Sequence, residues 1–241
     1  MSSATVRVVV LRLAEDVAEP RLSPLLALLD AVERARATRF VFARLRVEFV
    51  AAHALARIAL ATATGAPADA FRFRTGPNGK PEALLDGSAV PAVFSLSHTK
   101  RMVGVAVATV PGLRLGFDLE ATERMISANL ASQIFRPEEL RWLGSLAPET
   151  HASGMIRLWT LTEAFIKATG LGFYEDLSSF WFEPPPVIRF SPDAAEAGQP
   201  WSFAQRLVNG EMFAAVAASP ARDLQVTWEE TSLETLLTQS V

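Results

Sequence analysis

Residues 113–120 read Leu-Arg-Leu-Gly-Phe-Asp-Leu-Glu, an apolar stretch that carries two acidic side chains at alternate positions. The alternation predicts a β-strand, and side chains two positions apart on a strand share one face. Asp118 and Glu120 therefore lie together, while Phe117 and Leu119 point to the opposite face. If the acidic face is buried, the two carboxylates need a cation, and Mg²⁺ prefers such oxygen ligands. A strand end whose acids face water is the alternative.

A second segment, residues 156–169, has the 3–4 spacing of apolar residues that predicts a helix. Glu163 and Lys167 are four positions apart and share one face of that helix. An exposed ion pair would explain them, but the residues around them are apolar on almost every side, which indicates burial. A buried Glu and Lys need partners, and a metal ion for Glu163 and a phosphate for Lys167 would supply them.

The order of strand and then helix occurs twice along the chain. It appears at residues 6–13 and 44–61, and again at residues 113–119 and 156–169. Further helices are predicted at residues 22–36 and 137–146, and further strands at residues 71–74, 93–96, 102–109, 180–182, 188–190, 201–207, 213–218 and 224–228. These patterns favour a mixed α/β (α+β) fold of two similar halves. The turn at residues 110–112 divides them into domains 1–112 and 113–241.

Composition restricts the class of function. Half of the 241 residues are hydrophobic and 20% are charged, which suits a folded chain with a sizeable core. The net charge of −3 provides no positive field for nucleic acid. The chain has no cysteine, so disulfides, thiolate metal sites and a cysteine nucleophile are excluded. No signal peptide or membrane span is expected, and we expect a cytoplasmic protein.

Two short motifs in the first half suggest phosphate contacts. Residues 75–81 contain two glycines and two prolines and are predicted to form a loop, preceded by Arg72 and Arg74. Glycine loops let backbone N–H groups approach phosphate oxygens, although a plain turn is the alternative. Residues 94–99 read Phe-Ser-Leu-Ser-His-Thr and place His98 at a strand end beside two hydroxyls. We interpret His98 as a phosphate contact, with a structural histidine as the alternative.

Residues 33–46 form a basic stretch that leads into the first long helix. On that helix Arg46, His53 and Arg57 are spaced to share one face. A solvated basic face and a second phosphate pocket both explain this pattern.

In this order, the motifs resemble those of the 4′-phosphopantetheinyl transferases, in particular the larger monomeric type that activates peptide synthetases and polyketide synthases. That family carries a glycine-lysine-proline loop, an F-N/S-x-S-H segment, a G-x-D-x-E strand and a W-x-x-K-E-A-x-x-K helix. The matching stretches here are residues 79–81, 94–98, 116–120 and 159–167. One position departs, because Thr162 stands where the family usually has a lysine.

The resemblance implies two α/β halves related by a pseudo-twofold, with coenzyme A in the cleft between them. It implies that Asp118, Glu120 and Glu163 hold Mg²⁺ and that Lys167 neutralises the pyrophosphate of coenzyme A. The remaining coenzyme A contacts that it implies, several of them at the 3′-phosphate and adenosine end, are Arg36, Arg44, Arg74, Thr75, Gly79, Lys80, Pro81, Ser97 and His98.

The activity that the resemblance implies is transfer of 4′-phosphopantetheine from coenzyme A to a serine of an apo acyl or peptidyl carrier protein, with release of 3′,5′-ADP. Asp118, Glu163 and Lys167 would be the catalytic residues, with Glu163 as the candidate base. We expect a monomer that binds neither nucleic acid nor membrane. The alternatives are another Mg²⁺-dependent phosphoryl transferase and a non-catalytic relative that binds carrier protein or coenzyme A.

Overall fold

The computed structural model describes residues 3–15, 17–76, 79–170, 172, 177–183, 188–192 and 196–240. The chain divides into two compact units. The N-terminal unit comprises Thr5–Leu113 and Gln225–Val241, and the C-terminal unit comprises Met1–Ala4 and Arg114–Leu224.

The described residues form seven α-helices and twelve strands. The helices are α1 (Ser23–Leu28), α2 (Ala31–Ala37), α3 (Ala43–Thr64), α4 (Ala128–Ile134), α5 (Pro137–Ser145), α6 (Pro148–Thr169) and α7 (Leu233–Gln239). The strands are β1 (Ser3–Arg12), β2 (Phe71–Thr75), β3 (Pro81–Leu85), β4 (Ser88–Ala89), β5 (Val93–Thr99), β6 (Met102–Ala108), β7 (Arg114–Ala121), β8 (Phe180–Glu183), β9 (Arg189–Pro192), β10 (Ser202–Val208), β11 (Met212–Ser219) and β12 (Asp223–Thr231).

The N-terminal unit is built on a four-stranded sheet of order β12-β1-β6-β5. β6 is antiparallel to both β1 and β5, and Val105 lies opposite Val9 in one pair and Leu96 in the other. The long helix α3 packs on β5 and β6. Its buried positions, together with apolar residues from β1, α1 and α7, form the core of this unit. A small second sheet has the order β2-β3-β4.

The C-terminal unit is built on a three-stranded sheet of order β10-β11-β7. Every residue of β11 is buried, and α6 packs against both β7 and β11. A separate hairpin of β8 and β9 contributes the rings of Phe180, Phe182 and Phe190 to an aromatic cluster around Phe165 of α6. This cluster explains why the last third of the chain is rich in aromatic residues.

The two units share one topology. In the N-terminal unit β1 precedes the 22-residue helix α3, which precedes the hairpin of β5 and β6, and β6 pairs with β1. In the C-terminal unit β7 precedes the 22-residue helix α6, which precedes the hairpin of β10 and β11, and β11 pairs with β7. The strand orders β1-β6-β5 and β7-β11-β10 are therefore equivalent. The prediction of a mixed α/β fold is confirmed, and the strand–helix repetition in the sequence corresponds to this repeated topology.

The grouping of the chain differs from the predicted division into residues 1–112 and 113–241 at the C-terminus. β12 pairs with β1, and Arg7 of β1 donates two hydrogen bonds to Glu229 of β12, at 2.8 and 2.7 Å. The last strand and α7 therefore belong to the N-terminal unit. Their pairing joins residues more than 200 positions apart, which local patterns do not show.

Three predicted elements differ from the structure. The single helix predicted at residues 22–36 is two helices, because Asp30 caps α2: its Oδ1 accepts from the Glu33 amide at 2.9 Å, and Glu33 Oε2 accepts from the Asp30 amide at 2.8 Å. The helix predicted at residues 156–169 begins earlier, at Pro148. Thr75 and Pro81, predicted to lie in a loop, pair as strand residues of β2 and β3. β3, β4, α4 and α7 were not predicted from the sequence.

By length and composition alone, α3 is long and apolar enough to cross a membrane, and it is the one helix among the described residues that meets this criterion. Of the most apolar 18-residue stretch of α3, 72% is buried inside the protein. The core helix of a soluble protein passes the same test, so this property is weak evidence for a membrane span.

Glu139 of α5 gives the C-terminal unit a pH-dependent contact. Its side chain is buried and accepts hydrogen bonds from the amides of Arg136, at 2.8 Å, and Phe182, at 2.9 Å. Burial nevertheless raises the pKa of Glu139 to about 7. A carboxyl whose pKa is raised by folding binds its proton more tightly in the folded state, so its contribution to stability falls as pH rises from 4.5 to 7.

We therefore predict that the free energy of unfolding of wild type, relative to Glu139→Gln, falls by about 3 kcal/mol between pH 4.5 and 7.5. Glutamine cannot ionise, so the variant lacks this dependence. Urea unfolding of both proteins across this range measures the difference. Parallel stability curves would contradict the assignment of a raised pKa to Glu139.

Candidate active site

β7 carries the two predicted acidic ligands on one face. Asp118 and Glu120 are both buried, and they lie opposite Ala215 and Phe213 of β11. The alternation expected for a strand is therefore present, and Phe117 and Leu119 are buried as well. Burial of β7 on both sides removes the alternative of a strand end whose acids face water.

α6 brings the predicted lysine to this strand. Lys167 lies in the last turn of α6, and its Nζ donates to Asp118 Oδ1 at 2.7 Å. The Asp118 side chain is 8% exposed and that of Lys167 is 30% exposed, so the pair is partly shielded from solvent. Two residues 49 positions apart in sequence thus form the central contact of the site.

Glu163 lies one helical turn before Lys167 and faces the same group of charges. Its pKa is raised, first by burial and then by the negative charge of Asp118, with a further contribution from Glu120. The positive charges of Lys167 and Arg124 oppose this rise. The structure therefore brings the three predicted carboxylates and Lys167 close enough together to influence one another electrostatically.

Gly116 makes this arrangement possible, although the sequence analysis assigned it no role. A Cβ atom at Gly116 would lie 1.8 Å from the backbone oxygen of Ala164 and 2.5 Å from the backbone nitrogen of Ala168. The backbones of β7 and α6 are thus in direct contact, which only glycine permits. This contact sets the distance between the carboxylates of β7 and the charged side chains of α6.

Arg124 is a further charged residue of the site that the sequence analysis missed. Its guanidinium forms an ion pair with Glu120, whose other oxygen accepts from the Ala121 amide at 2.9 Å. The guanidinium carbon lies 4.8 Å from the centre of the Trp159 ring. Trp159 therefore supports Arg124 by a cation–π contact. The only sequence signal for this ion pair was the spacing of Glu120 and Arg124, four positions apart. That spacing becomes informative only once Glu120 is known to be buried and to need a positive partner.

The donor set fits a hard divalent cation. Asp118, Glu120 and Glu163 supply carboxylate oxygens. The pKa of Glu163 is raised first by burial and then by the negative charge of its neighbours, and a divalent cation would offset both effects. In the structure, Asp118 contacts Lys167 and Glu120 contacts Arg124. The described part of the chain contains no group of three such side chains in metal-binding geometry. The metal ligands thus remain a prediction.

The remaining predicted site residues lie in the N-terminal unit. The guanidinium of Arg36 lies 5.3 Å from the ring centre of Phe49, and Arg44 pairs with Glu48 at 2.8 Å. On β5, Ser97 is buried and His98 is exposed.

The glycine-lysine-proline loop connects β2 and β3 as a hairpin. Arg74 Nε donates to Glu82 across this hairpin at 3.0 Å. The Gly76 amide donates to Lys80 O at 2.8 Å, and Gly79 has a φ of 88°, which favours glycine. Pro77 and Asn78, also part of the predicted motif, lie outside the described residues.

The predicted basic face of α3 is not solvated at Arg57. Arg57 is fully buried, where it pairs with Glu33 and donates to Phe71 O at 2.7 Å. His53 Nδ1 lies 2.6 Å from the other oxygen of Glu33. These two residues join α3 to α2, so Arg57 serves neither as a solvated charge nor as a phosphate ligand.

Thr162, which occupies the position of the family lysine, is buried in α6. A lysine there would have to enter a packed interior, so we predict that Thr162→Lys destabilises the protein by about 1–3 kcal/mol and does not increase its activity. Thr162→Val is the matched control for the loss of the hydroxyl. Thermal unfolding and turnover of the three proteins test this, and a large acceleration by lysine would contradict it.

Comparison with known proteins agrees with this geometry. The family model of the 4′-phosphopantetheinyl transferase superfamily matches residues 114–218, which include β7 and α6. The chain is 31% identical over 210 residues to 4′-phosphopantetheinyl transferase HetI from a Nostoc species, covering 86% of each chain.

Two further relatives match a shorter part of the chain. The chain is 33% identical over 117 residues to 4′-phosphopantetheinyl transferase gsp of Aneurinibacillus migulanus, covering 48% of this chain and 46% of that one. It is 33% identical over 110 residues to 4′-phosphopantetheinyl transferase Sfp of Bacillus subtilis, covering 46% of each. These two matches span about half the length of the relatives. The extent of the match to HetI and the match to the family model show that the protein belongs to the 4′-phosphopantetheinyl transferase superfamily.

Proposed function

We propose that the protein transfers 4′-phosphopantetheine from coenzyme A to a serine hydroxyl of an apo acyl or peptidyl carrier protein. The observation that carries this proposal is the contact of Asp118 with Lys167 beside Glu163, formed by the strand and helix that match the superfamily. HetI, to which this chain is similar over most of its length, is named for the same transfer.

In the proposed reaction the serine oxygen attacks the β-phosphorus of coenzyme A. The bond from that phosphorus to the oxygen bridging it to the α-phosphorus breaks, and 3′,5′-ADP leaves with the bridging oxygen and its electron pair. Lys167 neutralises the pyrophosphate and stabilises charge on the leaving oxygen. Its position supports this role, because its ammonium group is partly exposed while Asp118 holds it in place.

Glu163 is the proposed base that accepts the serine proton, directly or through a water molecule. An ordinary glutamate is a weak base at neutral pH, but burial and the charge of Asp118 raise the pKa of Glu163. A raised pKa makes a carboxylate a better proton acceptor, whereas Mg²⁺ bound to Glu163 would lower that pKa. The base role therefore belongs to a Glu163 oxygen that does not contact the ion, or to a water molecule that Glu163 holds.

We propose that Asp118, Glu120 and Glu163 hold Mg²⁺. When bound, the ion supplies positive charge that polarises the phosphoryl oxygens of coenzyme A. The support is the chemistry of three carboxylates, together with the burial and the neighbouring negative charges that raise the pKa of Glu163.

For the nucleotide end of coenzyme A, we propose contacts from the N-terminal unit. Arg36, Arg44, Arg74 and Lys80 offer positive charge, and His98 offers an exposed imidazole at the end of β5. We further propose that the protein acts as a cytoplasmic monomer that binds neither nucleic acid nor membrane. The net charge of −3 supports the absence of nucleic-acid binding, and a chain without cysteine fits a reducing compartment.

Separation of the nucleotide products tests the reaction. Incubation with coenzyme A, apo carrier protein and Mg²⁺ should release 3′,5′-ADP in a one-to-one ratio with modified carrier, and a chelator should stop the release. A non-catalytic relative would release none, and another phosphoryl transferase would release a different nucleotide. Either result would overturn the proposal.

A further inference from the structure

A buried glutamate of the N-terminal unit contacts two elements that carry proposed coenzyme A ligands. Glu48 lies in the second turn of α3 and is 2% exposed. Its Oε1 accepts from Arg44 Nη1 at 2.8 Å and from the backbone amide of Arg101 at 2.9 Å. One carboxylate oxygen thus joins the basic segment at the start of α3 to the turn between β5 and β6.

That turn is held in an unusual conformation. Lys100 and Arg101 have φ values of 29° and 66°, in the left-handed region that side chains other than glycine rarely adopt. The carbonyl oxygen of Arg101 accepts from the Leu13 amide at 2.7 Å, and its guanidinium pairs with Glu15 at 2.9 Å. Contacts on both sides of the Arg101 backbone therefore fix the turn of this hairpin, and Arg101 lies two residues after Thr99, the last residue of β5, and three after His98.

The side chain of Arg44 also needs support if it is to bind a ligand selectively. It is 57% exposed, whereas the Glu48 side chain that it contacts is 3% exposed. A long exposed arginine loses rotamer freedom when it binds an anion, and an anchor that fixes it beforehand reduces that loss. The carboxylate of Glu48 holds one N–H group of the planar guanidinium, and this defines the directions in which the other N–H groups of Arg44 point.

We infer that Glu48 is a positioning residue for coenzyme A recognition, which fixes Arg44 and the β5–β6 turn so that Arg44 and His98 together bind the 3′-phosphate. The inference rests on the proposed function, because it assigns Glu48 to the binding of the same substrate. A merely structural role would affect all ligands equally. A positioning role predicts a specific loss of the affinity that the 3′-phosphate contributes.

The test is a comparison of coenzyme A with 3′-dephospho-coenzyme A by isothermal titration calorimetry. We expect wild type to bind coenzyme A at least about tenfold more tightly, since a hydrogen bond to a charged group contributes this much. Glu48→Ala and Arg44→Ala should both reduce the ratio of the two dissociation constants to about 1–2, and the double variant should show no further loss.

Glu139→Ala is the matched control. Glu139 is as deeply buried as Glu48 and also accepts two hydrogen bonds, but it lies in α5 of the C-terminal unit. This variant should lose thermal stability and keep the wild-type ratio. Glu48→Gln serves if Glu48→Ala does not fold. It keeps an acceptor for the Arg101 amide and removes the ion pair, so we expect it to lower the ratio about threefold.

The outcomes separate this role from the proposed function. A wild-type ratio in folded Glu48→Ala, or in Glu48→Gln if the alanine variant does not fold, would overturn the role of Glu48 alone. An equal loss of ratio in Glu139→Ala would overturn it as well, because the effect would then follow stability. Wild-type protein that binds neither ligand would overturn both the proposed function and this inference.

Discussion

Asp118→Asn is expected to lower the rate of phosphopantetheine transfer at least about 100-fold, because it removes the negative charge that holds Lys167 and that the proposed metal needs. Asp118 accepts from Lys167 at 2.7 Å and raises the pKa of Glu163 through its negative charge. Asparagine has the same shape and still accepts a hydrogen bond, so the packing of β7 against α6 should remain. Turnover measured with saturating coenzyme A and carrier gives the effect.

The control for this variant is Asp69→Asn, the same chemical change at an exposed residue of the N-terminal unit. It should leave turnover within about twofold of wild type, as expected for a surface substitution. Circular dichroism and thermal unfolding should show that both variants are folded. A folded Asp118→Asn protein with the wild-type rate would show that Asp118 is not part of the catalytic site.

Gly116→Ala is expected to destabilise the protein by about 3 kcal/mol and to abolish most of its activity. The added Cβ would collide with the backbone of α6 at Ala164, at 1.8 Å, and Ala168, at 2.5 Å. Backbone atoms cannot move aside as a flexible side chain does, so the helix has to shift away from β7. Lys167 and Glu163 would move with it, and the 2.7 Å contact with Asp118 would be lost.

Gly144→Ala provides the matched control for Gly116→Ala. Gly144 lies in α5, and an added Cβ there would meet no atom within 4 Å. Alanine inside a helix should stabilise it by roughly 0.5–1 kcal/mol relative to glycine. Thermal unfolding and turnover of both variants measure the difference. If Gly116→Ala were as stable and active as Gly144→Ala, the close approach of β7 and α6 would not determine the geometry of the site.

The sequence predicted the two elements of the site well because their signals are local. Alternation places Asp118 and Glu120 on one face of a strand, and helical spacing places Glu163 and Lys167 on one face of a helix. The partner of Lys167 could not be predicted in this way. The helix spacing favours Glu163, whereas the structure shows a hydrogen bond to Asp118, which depends on how α6 packs on β7.

The role of Gly116 shows the same limit. The residue was visible in the sequence as part of a motif, but a glycine in a strand has many explanations. Only the distance from its position to the backbone of Ala164 shows that a close approach requires it. Arg124 was missed because its ion pair with Glu120 becomes notable only once that carboxylate is known to be buried.

In the N-terminal unit, side-chain hydrogen bonds determine where a helix begins and which charged residue is buried, and local sequence patterns left both ambiguous. The apolar spacing over residues 22–36 continues through Asp30, but the cap that Asp30 forms with Glu33 starts a new helix there. Arg57 shares a helix face with Arg46 in sequence, yet it is buried because Glu33 of α2 pairs with it. Such contacts between neighbouring elements are not contained in the periodicity of either one.

The most direct test of the central claim is the mass of an apo carrier protein after incubation with this protein, coenzyme A and Mg²⁺. We predict a gain equal to one phosphopantetheine group, located on a single serine of the carrier, and no gain when that serine is replaced by alanine. An unchanged mass for several unrelated apo carriers, with enzyme that is folded and binds coenzyme A, would contradict the claim.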